Sequence, residues 1–100
     1  MLVAFSISPG STDPTGGSSE AVAEAVRVVR GSGLPCETTS MFTTVEGEWD
    51  EVMAVIKQAV DAVAVHAPRV TVSLKADIRP GVADALHGKV EHIERRLAGP

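Results

Sequence analysis

The sequence predicts an α+β sandwich with the element order β-α-β-β-α-β, followed by one additional C-terminal helix. Apolar residues alternate in residues 2–9 and 69–79, as they do in strands with one buried face. They recur at helical spacing in three other segments. This order is that of the ferredoxin-like fold, in which helices cover one face of an antiparallel sheet. We therefore expect a single domain over residues 1–100 whose second sheet face is solvated, covered by the last helix or buried by another subunit.

The first strand is half-buried and leads into a turn-rich loop. Its apolar positions are Val3, Phe5 and Ile7, and the polar residues Ser6 and Ser8 lie on its other side. Pro9 and Gly10 end the strand, and the next ten residues are rich in Gly and Ser. Gly17 or Ser18 is placed to cap the first helix.

Three apolar stripes indicate helices. The stripes are Val22, Val26 and Val29; Trp49, Met53, Ile56, Val60 and Val63; and Leu86, Val90, Ile93 and Leu97. The second stripe belongs to the longest predicted helix, which Pro68 ends. The first two predict the helices that pack on the sheet, and the third predicts the additional helix.

Residues 35–47 predict two short strands with a break near Thr39 and Ser40. In the second of them two sets of side chains alternate, and the pattern leaves open which set faces the helices. The sets are Phe42, Thr44 and Glu46, and Met41, Thr43 and Val45.

The last strand alternates cleanly between apolar and polar residues. The polar set is Thr71, Ser73, Lys75, Asp77 and Arg79, opposite Val70, Val72, Leu74, Ala76 and Ile78. We expect the polar set on the open face beside Ser6 and Ser8, where it could form a binding site. A solvated face, with Lys75 paired to Asp77 or Glu46, is a slightly more economical interpretation.

The stretch from Val45 to Met53 holds the only Trp of the chain among four carboxylates. Its helical spacing favours Trp49 as a cover for the end of the core over Trp49 as a ligand contact. The acidic residues suit a helix N-terminus. Glu46 precedes the helix beside Gly47, so it could bind a ligand or cap the helix.

Composition and missing motifs exclude several function classes. A net charge of −4 without a basic stripe argues against nucleic-acid binding. The single Cys36 excludes an intrachain disulfide and suits a cytoplasmic protein, and we expect no signal peptide or membrane span. No metal-ligand spacing, cofactor fingerprint or nucleophile–base pair is evident. Because the apolar residues are mostly Val and Ala, the core is thin, which favours association into oligomers.

Several segments together resemble the small thiamine-binding proteins, long grouped as a domain of unknown function. They are VAFSISP, SGL, MFTTVEGEWDEVM, RVTVSLKADIR and GKVEHIE, in that order over nearly the whole chain. The resemblance implies a ferredoxin-like homodimer or homotetramer with apposed sheets that binds thiamine or hydroxymethylpyrimidine and does not imply catalysis. The residues it points to are Ser6, Thr44, Glu46, Lys75, Asp77 and Arg79. The Gly10–Ser19 loop departs from the family in being longer and richer in Gly.

Three hypotheses follow. The first is a non-catalytic cytoplasmic binder of thiamine or its pyrimidine part, with a polar pocket on the open sheet face at a subunit interface. Its candidate ligand-binding residues are Ser6, Ser8, Phe42, Thr44, Glu46, Trp49, Ser73, Lys75, Asp77 and Arg79. The second is a structural or regulatory homo-oligomer without a small ligand. The third, an enzyme acting on a thiamine precursor with Glu46 or Asp77 as general base, lacks an evident acid–base partner.

Overall fold

A computed structural model describes residues 1–10, 18–81 and 85–99 of the chain. The elements are β1 (Leu2–Pro9), α1 (Ser18–Gly31), β2 (Cys36–Thr38), β3 (Thr43–Glu46), α2 (Trp49–Ala64), β4 (Val70–Asp77) and α3 (Ala85–Ala98). The strands form one antiparallel sheet in the order β2-β3-β1-β4. The predicted α+β, ferredoxin-like fold with an additional C-terminal helix is therefore confirmed. The proposed cap at Gly17, the side chain of Ser18 and most of the Gly-rich loop lie outside the described residues.

Strand register assigns each side chain to a face, because residues paired across an antiparallel sheet project to the same side. Val3 of β1 pairs with Val45 of β3 and with Ala76 of β4, and all three face the helices. Phe5 likewise lies between Thr43 and Leu74. This register resolves the ambiguity in β3. Thr43 and Val45 face the helices, and Thr44 and Glu46 project to the open face.

The core lies between the middle of the sheet and helices α1 and α2. Its buried residues are Val3, Phe5, Ile7, Ala21, Ala25, Val29, Val45, Val52, Val55, Ile56, Ala59 and Val63. On α1 the buried face runs through Ala21, Ala25 and Val29, whereas Val22 of the predicted stripe is exposed. Small alanines bring the helix backbone close to its neighbours, so the buried face is rotated from the one that the valines alone indicate.

The edge strand β4 is only partly covered. Val72 and Leu74 pair with Ile7 and Phe5 on the helix side, yet they stay 38% and 42% exposed. The buried core comes from β1, β3, α1 and α2, so the helices cover the middle of the sheet and leave this edge open. Ile78, predicted to continue the apolar side of the strand, lies beyond β4 and is exposed.

Helix α2 begins at Trp49, whose side chain is 53% exposed. The residues that α2 buries are Val52, Val55, Ile56, Ala59 and Val63, so Trp49 and Met53 lie at the margin of the packed face. The backbone N–H of Glu48 donates to Glu51 Oε1 at 3.1 Å, which fixes the first turn. Trp49 therefore does not cover the end of the core, contrary to the prediction from its helical spacing.

Helix α3 packs against β3 with its first turn and is exposed beyond it. Leu86 is buried, whereas Val90, Ile93 and Leu97 of the same predicted stripe are exposed. Among the described residues, no helix combines the length and the apolar character needed to cross a membrane.

Candidate functional site

The open face of the sheet gathers polar side chains from three strands. Ser6 of β1 pairs with Ser73 of β4, and Ala4 lies between Thr44 and Lys75. One pleat further along, Leu2 lies between Glu46 and Asp77. Since neighbouring strands are about 4.8 Å apart, residues flanking β1 are about 10 Å from each other. Seven candidates share this face: Ser6, Ser8, Thr44, Glu46, Ser73, Lys75 and Asp77.

Three of those candidates line one open depression, which we call the sheet-face hollow. Its volume is about 360 Å³, and its lining residues are Leu2, Ala4, Thr44, Lys75, Ala76, Asp77 and Lys89. This volume is within the range of about 300–1,000 Å³ typical of small-molecule sites. An apolar floor from β1 meets a hydroxyl, a carboxylate and two ammonium groups at the sides. Such a site can hold a flat ring while polar groups orient it.

The carboxylate of Asp77 is the acceptor at one side of this hollow. The ammonium of Lys89, on α3, donates a hydrogen bond to Asp77 Oδ2. That hydrogen bond is the main reason why the pKa of Asp77 is lowered; desolvation opposes the change, and the charges of Lys89, Arg79 and Lys75 add to it. Asp77 therefore carries its charge at neutral pH and presents it to the hollow.

Glu46 holds α3 on the sheet. Its Oε2 accepts from the backbone N–H of Ala85 at 2.7 Å, and its Oε1 accepts from that of Leu86 at 3.3 Å. These N–H groups belong to the first turn of α3 and have no partner within the helix. The side chain is buried, although it starts from the open face. Its carboxylate is thus occupied by backbone donors, and it caps α3, not the neighbouring α2.

The two aromatic candidates lie elsewhere. Trp49 and Arg79 line a separate hollow of about 240 Å³ near the start of α2, together with Met1, Glu48, Ile78, Pro80 and Gly81. Phe42 lines another, of about 160 Å³, between α1 and the β2–β3 turn. Neither ring lines the sheet-face hollow, so neither can stack on a ligand inside it in this arrangement.

The serines lie on the predicted face but outside the sheet-face hollow. Ser8 and Ser73 are exposed, and Ser6 is half-buried. Their register places them toward the opposite end of β1 from Leu2. Of the ten candidates, the structure brings together Thr44, Lys75 and Asp77, with Glu46 beside them as the anchor of α3.

Sequence reasoning missed four residues that line this hollow: Leu2, Ala4, Ala76 and Lys89. The alternation of β1 places Leu2 and Ala4 on the open face. Small and apolar side chains, however, do not by themselves indicate a ligand contact. Lys89 is 12 residues from Asp77 on a different element, and no spacing rule links the two. In the described parts of the chain, no group of three or more His, Cys, Asp or Glu residues is arranged to hold a metal ion.

Comparison with known proteins adds independent evidence. Residues 3–94 match the family described as thiamine-binding protein. A UPF0045 protein of Mycobacterium bovis is 54% identical over 101 residues, which span 100% of this chain and 97% of the relative. A hypothetical protein of Methanocaldococcus jannaschii superposes with a TM-score of 0.82 at 30% identity, covering 93% of this chain and 94% of that one. A Thermotoga maritima protein, proposed to act in thiamine biosynthesis or salvage, superposes with a TM-score of 0.79 at 26% identity, covering 92% of this chain and 96% of that one.

Proposed function

Because the chain belongs to the thiamine-binding protein family, we propose that it binds thiamine or its hydroxymethylpyrimidine moiety without catalysing a reaction. The observation that carries this proposal is the sheet-face hollow, in which Asp77, Thr44 and Lys75 surround an apolar floor. The whole chain, in this proposal, is one binding domain. A cytoplasmic setting is part of the proposal and agrees with a single cysteine.

The chemistry of the hollow suits an aminopyrimidine. The carboxylate of Asp77 can accept from the exocyclic amine or from a protonated ring nitrogen, with charge-assisted strength. The hydroxyl of Thr44 can donate to a ring nitrogen or accept from the amine. Leu2 and Ala4 offer an apolar surface on which one side of the ring can lie.

We further propose that a second copy of the chain closes the site. The hollow is open to solvent above its apolar floor, so the outer side of a bound ring needs cover. The exposed apolar residues Val90, Ile93 and Leu97 on α3 supply a surface for such a contact. We expect a homodimer or a homotetramer in which the open sheet faces approach each other.

Calorimetric titration with thiamine and with hydroxymethylpyrimidine tests the ligand. We expect binding tighter than millimolar in the wild type and at least about tenfold weaker binding in Asp77→Asn, which loses the charge-assisted acceptor. Asp61→Asn is the matched control, because Asp61 also pairs with a lysine but lies on the solvent-exposed side of α2, away from the hollow. A wild type that binds neither compound contradicts the proposal.

The exposed stripe on α3 also favours a second candidate, a structural or regulatory homo-oligomer without a small ligand. Light scattering on Asp77→Asn separates the two functions. A ligand residue loses binding while the mass of the assembly stays the same. An interface residue changes that mass.

A further inference from the structure

The charges around the sheet-face hollow do not match a simple cation. Its lining includes two ammonium groups, from Lys75 and Lys89, and one carboxylate, from Asp77. The side chain of Arg79 is also close enough to act on the charge of Asp77. Although the whole chain carries a net charge of −4, the lining itself has one more positive group than negative groups. An unphosphorylated thiamine would add another positive charge to this surface.

Two other carboxylates on this sheet face do not line the hollow. Glu46 faces the N-terminus of α3, whose backbone N–H groups and helix dipole balance its charge. Glu37 lies one strand further out, opposite Thr44, and is exposed to solvent. The local balance at the hollow is therefore set by Asp77 and the two lysines.

Lys75 has no ion-pair or hydrogen-bond partner among the described residues, whereas Lys89 is engaged by Asp77. Lys75 and Asp77 project from the same face of β4 two residues apart, which separates their backbones by about 7 Å. The hollow thus offers a carboxylate at one point and, several ångströms away, an ammonium that no described residue engages. Because the lysine side chain is long and flexible, Lys75 can reach an anionic group over a range of distances from an amine that Asp77 holds.

We propose that the preferred ligand of this site is a phosphate monoester of thiamine or of hydroxymethylpyrimidine, with its amine on Asp77 and its phosphate on Lys75 and Lys89. This inference rests on the proposed function and specifies its ligand class. Asp77 accepts from the amine, and Lys89, on its flexible stem, can turn from Asp77 to a phosphate oxygen. The pair that Lys89 now makes is solvent-accessible, with side-chain exposures of 47% and 33%, so the exchange requires little loss of stability.

Calorimetric titrations with thiamine, hydroxymethylpyrimidine and the phosphate monoester of each test the proposal on the full chain. We expect each monoester to bind about tenfold tighter than its unphosphorylated form, the effect of one or two charge-assisted bonds at a partly exposed site. The advantage should shrink when the ionic strength is raised from about 0.02 M to 0.2 M, because salt screens exposed charges. Inorganic phosphate should compete only weakly.

Lys75→Met identifies the residue responsible. It should remove most of the preference for the monoester over the unphosphorylated form, and Lys75→Arg should retain the preference. Lys57→Met is the matched control, since Lys57 is an exposed lysine paired with Asp61 on α2, on the other side of the sheet. Lys89→Met provides a second, independent variant and should also reduce the preference. Circular dichroism verifies that each variant is folded.

The outcomes distinguish the two proposals. Equal or tighter binding of unphosphorylated thiamine overturns the phosphate inference and leaves the proposed function standing. Competition by inorganic phosphate as strong as that of the monoesters shows a general anion site and also overturns the inference. If none of the compounds binds to the wild type, both proposals are wrong. A preference for the monoester that persists in both lysine variants assigns it to other residues and rejects the site proposed above.

Discussion

The two faces of the central strand β1 are stabilised by different means. On one face Val3, Phe5 and Ile7 are buried beneath α1 and α2, and apolar packing completes the layer. On the other face α3 is attached through the carboxylate of Glu46, the Lys89–Asp77 pair and the single buried apolar residue Leu86. One face thus specifies the fold, whereas the other keeps polar groups within reach of solvent and of a ligand. Charged contacts can therefore hold a helix in place while leaving a polar surface open to solvent.

The largest expected effect concerns the packed face. Phe5→Ala should lower the free energy of unfolding by about 3–5 kcal/mol, because a buried ring is lost and a cavity remains. Phe42→Ala is the matched control, since Phe42 is the only other phenylalanine and is 41% exposed. It should cost about 1 kcal/mol or less. Urea denaturation measures both, and similar costs would contradict the assignment of the core.

A smaller and more local effect is expected at the anchor of α3. Glu46→Ala leaves the N–H groups of Ala85 and Leu86 without acceptors, at a cost of about 1–3 kcal/mol. Hydrogen exchange should accelerate in α3 while the amides of β1 and α2 stay protected. Glu37→Ala, an exposed glutamate on the same face, is the control and should leave α3 unchanged. Uniform loss of protection throughout the chain would show that α3 and the core unfold as one unit.

The smallest effect is a change in the titration of Asp77. Since the hydrogen bond from Lys89 lowers the pKa of Asp77, the contact contributes to stability above the ordinary carboxyl value of about 3.9 and is lost as the pH falls through the lowered pKa. Lys89→Met should therefore raise the pKa of Asp77, measured from its carboxyl carbon resonance. Lys57→Met should leave it unchanged. If the pKa of Asp77 is the same in Lys89→Met as in the wild type, the contact with Lys89 does not persist in solution.

Part of the candidate site could be predicted because strand alternation is a local property. Lys75 and Asp77 emerge on the open face since they alternate with the apolar residues of β4, and Ser6 follows the same rule on β1. Alternation gives only the face, however, and not the position along it. Ser73 and Ser8 lie on that face outside the sheet-face hollow, because its position depends on where α3 meets the sheet.

The departures from the predicted helical stripes share one cause, which is that helical spacing does not reveal how far a helix is covered. Val22, Trp49 and Ile93 each belong to an apolar stripe, and each is substantially exposed. Val22 lies beside the alanine face of α1, Trp49 at the first residue of α2, and Ile93 on the part of α3 beyond its anchor. Covering a stripe requires a second surface in the right place, and no single segment encodes it.

The order of strands and helices, the ferredoxin-like fold and the face on which most of the polar candidates lie could all be predicted from the amino-acid sequence. These features follow from the periods of two and 3.6 residues, which are set within each segment. Three further features became visible when the packed elements were seen together. Glu46 caps α3, Lys89 reaches Asp77, and Trp49 lies outside the sheet-face hollow. Those contacts join residues far apart in the chain, and their geometry depends on how separately formed elements pack together.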